Sequence, residues 1–379
     1  MAGDGASITR SSATTIRRTT RFVSSRSGTR SFAIEPAPII LEFGSTIVRV
    51  GYAEQFQPQH LIALEDSIFD HDDNNNENNN KPKTKTNVTK TESQWYLVLA
   101  PTMEQIYDRL MCKPSTRRVV CVYKPYAPVA FQKALTQHLW NLGVPAQVHV
   151  DSLQVVPIAQ GWKRGLVVHV SREEAMCACY ADGYIIPSTI QIVPTGYKAL
   201  LRGKVNETTE KTTYTLPSSP SELDSVMVEK LLNEHDPGSL VVALLMCFQE
   251  CPLDLRAQIV SNVVFCGDGV VLLPDLPRRV VKKVEQLLER TQEEGSLEPS
   301  AASFATPSAT GNPVYAMIPV NWSSLRPLAA RLTLKSCAPH RADWISWVGA
   351  SLWAATWNKY DEDETPIPWI FLPSNKTEM

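Results

Sequence analysis

The feature that most limits the fold is a series of short β-forming runs alternating with amphipathic stretches. A tight turn opens the series. Ile39–Glu42 and Ile47–Tyr52 are two β-prone runs joined by Phe43-Gly44-Ser45-Thr46, the pattern of a β-hairpin. Further strands are expected at Trp95–Leu99, Arg118–Tyr123, Val148–Val156, Gly165–Val170, Ala175–Tyr180, Tyr184–Ile186 and Asn262–Phe265. Helices are expected at Thr102–Met111, Val129–Leu142, Leu223–Asn233, Leu253–Ser261, Pro277–Arg290 and Trp344–Thr356. In the second of these, Phe131, Leu135, Leu139 and Leu142 return at helical spacing before Gly143. Strands alternating with helices behind a hairpin indicate an α/β fold.

Length and composition narrow the function classes. A chain of 379 residues suggests two domains or one large two-lobed one, at ~150 residues per domain. Hydrophobic residues make up 43% and charged residues 20%, which excludes wholesale disorder. With 37 basic against 39 acidic residues, the charge is too balanced for bulk electrostatic binding of nucleic acid. The longest apolar stretch, Leu240–Phe248, is far short of the ~20 residues that span a bilayer, so it reads as a buried strand or core helix and no membrane partner is expected. The eight cysteines lack zinc-finger spacing and read as reduced core thiols of a cytosolic protein. Glycine is scarce, 17 residues against an average of ~7%, a hint that any phosphate-cradling loop is degraded.

Three segments stand apart. Residues 1–34 carry six arginines among many Ser and Thr, with Asp4 as the one acid; they read as a disordered basic tail, an organelle transit peptide being the alternative. Asp70–Glu92, rich in Asn and Lys, reads as a disordered surface insertion. Residues 293–312, rich in Ser, Ala and Pro, read as a loop.

Three turns that follow β runs are the candidate site: Gly44-Ser45-Thr46, the turn after Gly165–Val170, and Gly267-Asp268-Gly269. Backbone amides at such turns can cradle phosphate. The histidines form no recognisable catalytic or metal set, and a zinc pairing of His169 with Cys179 is outweighed by the plain reading of scattered side chains. Arg278, Arg279, Lys282 and Lys283 form a basic helix face, read as solvated unless a partner binds it. Trp344, Trp347, Trp353 and Trp357 read as packing, with Trp353 and Trp357 able to anchor an interface.

Glu42–Glu54 resembles the first phosphate hairpin of the actin family. Gly165–Ile190 is similar to its second hairpin, Asn262–Pro274 to its adenosine-side turn, and Ile345–Ser351 to the start of its C-terminal helix. The match runs in order from Ile39 to Trp357. Within the family, Arg117–Trp140 and Leu244–Gly269 resemble the branch at the pointed end of dynactin. The resemblance implies an actin-like two-lobed α/β fold with reduced outer subdomains. It implies a first lobe at 35–160 and a second at 161–343, whose outer subdomain is truncated near 198–214. Residues 344–379 are expected to return to the first lobe as helix and tail.

The departures from the pattern set the functional expectation. Glu42 stands where the family has Asp, and Thr46 replaces a glycine. Arg49 takes the place of a phosphate-contacting lysine. His169 and Arg172 replace two Asp that organise magnesium, and Ser152 replaces a water-positioning glutamine. The resemblance leaves a degenerate nucleotide site at Gly44, Ser45, Thr46, Arg49, Gly267 and Gly269, with no catalytic residue, no metal and no cofactor expected, a retained ATP or ADP being left open. It implies a cytoplasmic, cytoskeletal, non-catalytic scaffold. Such a scaffold would cap a filament of the actin-like subunit centractin beside other dynactin pointed-end subunits, supporting dynein-based transport. The alternatives are a subunit of a nuclear chromatin-remodelling complex and a degenerate actin-like ATPase.

Overall fold

A computed structural model describes residues 36–64, 90–197, 225–290, 301–307, 313–319, 322–357 and 370–371. The expectations for residues 1–34, 70–89, 198–214 and 293–300 lie outside the described residues. The chain is a mixed α/β protein with two large mixed sheets.

The first half supplies β1 (Ile39–Phe43), β2 (Ile47–Tyr52), β3 (His60–Ala63), α1 (Glu92–Leu110), β4 (Val119–Tyr123), α2 (Val129–Asn141), β5 (Ala146–Asp151) and α3 (Ser152–Ala159). Its sheet runs β5-β4-β1-β2-β3: β1, β2 and β3 form an antiparallel meander, and β4 and β5 add parallel to β1. The second half supplies β6 (Arg164–Val170), β7 (Ala175–Ala181), β8 (Tyr184–Ile185), β9 (Gln191–Val193), α4 (Ser225–Leu232), α5 (Leu240–Glu250), α6 (Leu253–Val260), β10 (Val263–Cys266), α7 (Asp268–Leu272) and α8 (Leu276–Arg290). It continues with β11 (Ala301–Pro307), β12 (Pro313–Pro319), β13 (Leu334–Lys335), α9 (Ile345–Trp357) and β14 (Ile370–Phe371).

The second sheet repeats the first. The strands β9-β7-β6-β10-β13 have the same spatial order and the same directions: an antiparallel trio, then two strands parallel to its first member. β8 pairs with the far end of β7. β14 returns to the first sheet and pairs antiparallel with β5.

Side-chain alternation along each strand then assigns two faces. Ile39, Leu41, Phe43, Val48 and Val50 face α1 and α2, whereas Ile40 faces Trp347, Val348, Ala350 and Ala354 of α9. In the second sheet Leu166, Val168 and Val170 face α4, α5 and α8, whereas Val167 faces Leu153 and Val156 of α3. Each sheet therefore has its inner face covered by the helix that closes the other half. The two helices meet at Gly349: a Cβ there would stand 1.9 Å from the Val155 carbonyl oxygen.

Several expectations need correction. Trp95–Leu99 is not a strand and Thr102 is not a cap, because one helix, α1, runs through both. Thr91 caps it in a box with Gln94, which also ends the expected insertion before residue 92. Pro101 sits inside α1 yet does not break it, since Trp95, Leu99, Met103, Ile106 and Leu110 hold one buried stripe across it. The run Val148–Val156 splits after Asp151, whose carboxylate caps α3 by accepting from the Leu153 N–H at 2.8 Å. Leu240–Phe248 is helical, as part of α5. Ala301–Pro307, within the expected loop at 293–312, is a strand because it pairs antiparallel with Pro313–Pro319, a β-prone run. His169 pairs across the ladder with Met176 and Cys179 with Leu166, so these two do not meet. All eight cysteines are free thiols, and seven are buried.

Candidate functional site

The alternation that builds the two cores also aims three polar residues into the space between the sheets, and the turn after β10 adds a fourth. Glu42 lies on the same face of β1 as Ile40, and its ladder partner on β2 is Arg49. Both are only 4% exposed. His169, two residues beyond Val167 on β6, points to the same space and pairs with Cys266, the last residue of β10. Asp268 follows at the start of α7.

These groups are bonded to one another across the two sheets. The Arg49 guanidinium donates through Nη2 to Oδ1 of Asp268, and its Nη1 lies 3.7 Å from Oε2 of Glu42. Ser346, in the first turn of α9, donates its hydroxyl to the other oxygen of Glu42. A second bridge runs parallel to the first. Lys124, just past β4, places Nζ 2.5 Å from Oε1 of Glu174 in the β6–β7 turn. On the rim, Arg341 holds Asp343 at 2.9 Å and lies over the Trp344 ring.

Burial sets the protonation of this cluster. It raises the Glu42 pKa above the ordinary carboxylate value, and Arg49 and Ser346 only partly offset it. Burial pulls Arg49 down, but Asp268 and Glu42 outweigh it, so the net shift is upward and the guanidinium stays charged. His169 is pushed down to about 4, first by burial, with the opposed effects of Asp268, Arg49, Glu174 and Lys124 around it. It is a neutral imidazole at pH 7.

The turns expected to carry a ligand are all placed. Gly44 closes the β1–β2 turn, its N–H donating to the Ile47 carbonyl at 2.9 Å. Thr46 is buried, and its carbonyl accepts from Leu64. Ser45 is half-buried between them. Gly267 has φ +97°, a conformation that suits glycine, and a Cβ on it would stand 2.5 Å from the Val170 carbonyl oxygen. Gly269 presses on Val170 in the same way, at 2.4 Å from a side-chain methyl. Gly44, Ser45 and Thr46 are thus on the turn beside Arg49, and Gly267 and Gly269 flank Asp268.

The positions that the resemblance assigns to a magnesium nucleotide carry other chemistry. Arg49, the cation a phosphate would need, already carries Asp268 and Glu42. At His169, where the resemblance implies a magnesium-organising carboxylate, there is a neutral imidazole, and Ser152 offers only a buried hydroxyl without a hydrogen-bond partner. Among the described residues, no group of three or more His, Cys, Asp or Glu side chains is placed to hold a metal ion. Also among them, no helix is long and apolar enough to cross a membrane.

Sequence reasoning singled out Glu42, Arg49, His169 and Asp268, but it missed Ser346, Lys124 and Glu174. Ser346 had a signal in its place at the start of the apolar helix. Lys124 and Glu174 had none, because charged residues beside strand ends are ordinary solvated positions. Arg172, the other expected departure, lies in the β6–β7 turn with Nε 3.4 Å from Oε1 of Glu173. Of the basic helix face, Arg279 pairs with Glu229 at 2.5 Å and Lys283 with Glu234 at 2.7 Å. No family model matches the chain, and no curated protein matches it.

Proposed function

We propose that this chain is a non-catalytic, actin-like scaffold subunit. In this reading it caps the pointed end of the dynactin filament of centractin, as the branch called actin-related protein 10 does. The observation that supports the non-catalytic part is the Arg49–Asp268 pair, in which the chain's own carboxylate engages the cation that the resemblance assigns to a phosphate. The actin-like part is supported by a sheet topology that occurs twice, with the closing helices exchanged between the halves. The dynactin branch rests on the likeness of Arg117–Trp140 and Leu244–Gly269 alone. A terminal subunit must bind on one side and refuse the next subunit on the other. The shortened stretch at 198–214 would supply that refusal by offering less surface. Cytoplasmic, cytoskeletal placement and dynein-based transport follow from the same reading.

The test is end-labelling. Purified chain carrying a gold tag is mixed with purified centractin filaments, without added nucleotide, and imaged by electron microscopy. Gold at one filament end only is expected, and in a separate assay the purified chain alone is expected to release no phosphate from Mg-ATP. Gold along the filament sides, absence of binding, or steady ATP turnover would each contradict the proposal.

A further inference from the structure

We propose that the two cross-sheet ion pairs, Arg49–Asp268 and Lys124–Glu174, form a permanent clamp that holds the two halves of the fold together without any ligand. The pairs join different sheets in each case. Arg49 is on β2 and Asp268 follows β10; Lys124 follows β4 and Glu174 precedes β7. Their sequence separations are 219 and 50 residues, so neither is a local contact. Both pairs are shielded: the side chains are 5% and 25% exposed in the first and 18% and 20% in the second. Shielded pairs are weakly screened by salt, and removing one partner strands a charge, so they act as two-sided links.

Three further contacts tie the links to the frame. Ser346 fixes Glu42 behind Arg49, so α9 braces the first pair. The Gly267 N–H donates to the Ala342 carbonyl at 2.8 Å, tying the turn that carries Asp268 to the segment leading into α9. The Ser171 N–H and hydroxyl both bond the Glu174 carbonyl, at 2.9 and 2.6 Å, which makes the β6–β7 turn a firm base for the second pair. In a cleft that closes on a ligand, a bound anion links the two sides; here Asp268 and Glu174 are anions that belong to the chain. The mutual arrangement of the halves is therefore built in. The inference rests on this geometry and not on the filament-capping role.

Amide hydrogen exchange of the full-length protein, read by mass spectrometry, tests it. Asp268→Asn is expected to speed exchange by about tenfold or more in peptides spanning residues 44–49 as well as 267–272, since loss of one partner frees both turns. Arg49→Met is expected to do the same, and the double variant to be no faster than either single one. Glu174→Gln, which keeps shape and should fold in any case, is expected to speed exchange around Lys124 too. Millimolar inorganic pyrophosphate should leave exchange in the unmodified protein unchanged. Changes confined to the turn that carries the substitution, additive effects in the double variant, or protection of the unmodified protein by pyrophosphate would overturn the clamp. End-labelling of filaments is a separate readout, so failure of the capping role and failure of the clamp can be told apart.

Discussion

Asp151 shows how one side chain can serve local structure at a cost in charge. Its carboxylate caps α3 by accepting from Leu153, yet burial raises its pKa from 3.8 to about 6. A carboxyl whose folded pKa lies above its unfolded one favours the fold most when protonated. That contribution is complete below pH 3.8 and is lost as the pH rises through about 6. Asparagine caps equally well and carries no charge. Asp151→Asn is therefore expected to stabilise the protein at pH 7.5 by about 1–2 kcal/mol, with the gain vanishing by about pH 4. Urea unfolding at the two pH values measures it; equal shifts at both would show that charge is not the cause. His149 has the opposite sign. Burial lowers it to about 4, so its contribution is full above its ordinary value of 6.5 and fades as the pH falls from there toward 4.

At the scale of elements, the seam between α3 and α9 is a tight joint. Gly349 sits against the Val155 carbonyl with no room for a methyl group, since a Cβ there would stand 1.9 Å from the carbonyl oxygen. Alanine is the better helix former by about 1 kcal/mol, yet the forced separation of the helices costs more. Gly349→Ala is expected to destabilise by at least about 2 kcal/mol in urea unfolding. Leu97→Ala, at a position 72% exposed on α1, should stay within about 0.5 kcal/mol. A neutral Gly349→Ala would mean that the helices are not in contact.

The same elements show what could be read from sequence. The β1–β2 hairpin was legible because alternation and a tight turn are local signals. α1 was not, because Trp95–Leu99 is an apolar run of strand length, and Pro101 stands where a helix would be expected to break. The stripe that overrides Pro101 is visible only once α1 and α2 pack on the sheet. The hairpin of β11 and β12 was hidden for another reason: Ala301–Pro307 is small-residue sequence that becomes a strand only through its partner.

At the scale of the molecule, the second sheet repeats the first; the sequence reading expected two lobes, each opened by a hairpin, but not the shared strand order. Strand order depends on pairings between residues far apart in the chain, and no periodicity along the sequence reports it. Much of the candidate site was legible, because Glu42, Arg49, His169 and Asp268 fall on motif positions. Lys124 and Glu174 became visible only when β4 and the β6–β7 turn came face to face. The proposed role of this repeated fold is that of a cap on a filament of actin-like subunits. Affinity purification of the tagged full-length chain from its own cells, with identification of the proteins recovered, tests it most directly. The account predicts centractin together with other dynactin subunits. Recovery of chromatin-remodelling subunits without centractin would contradict it.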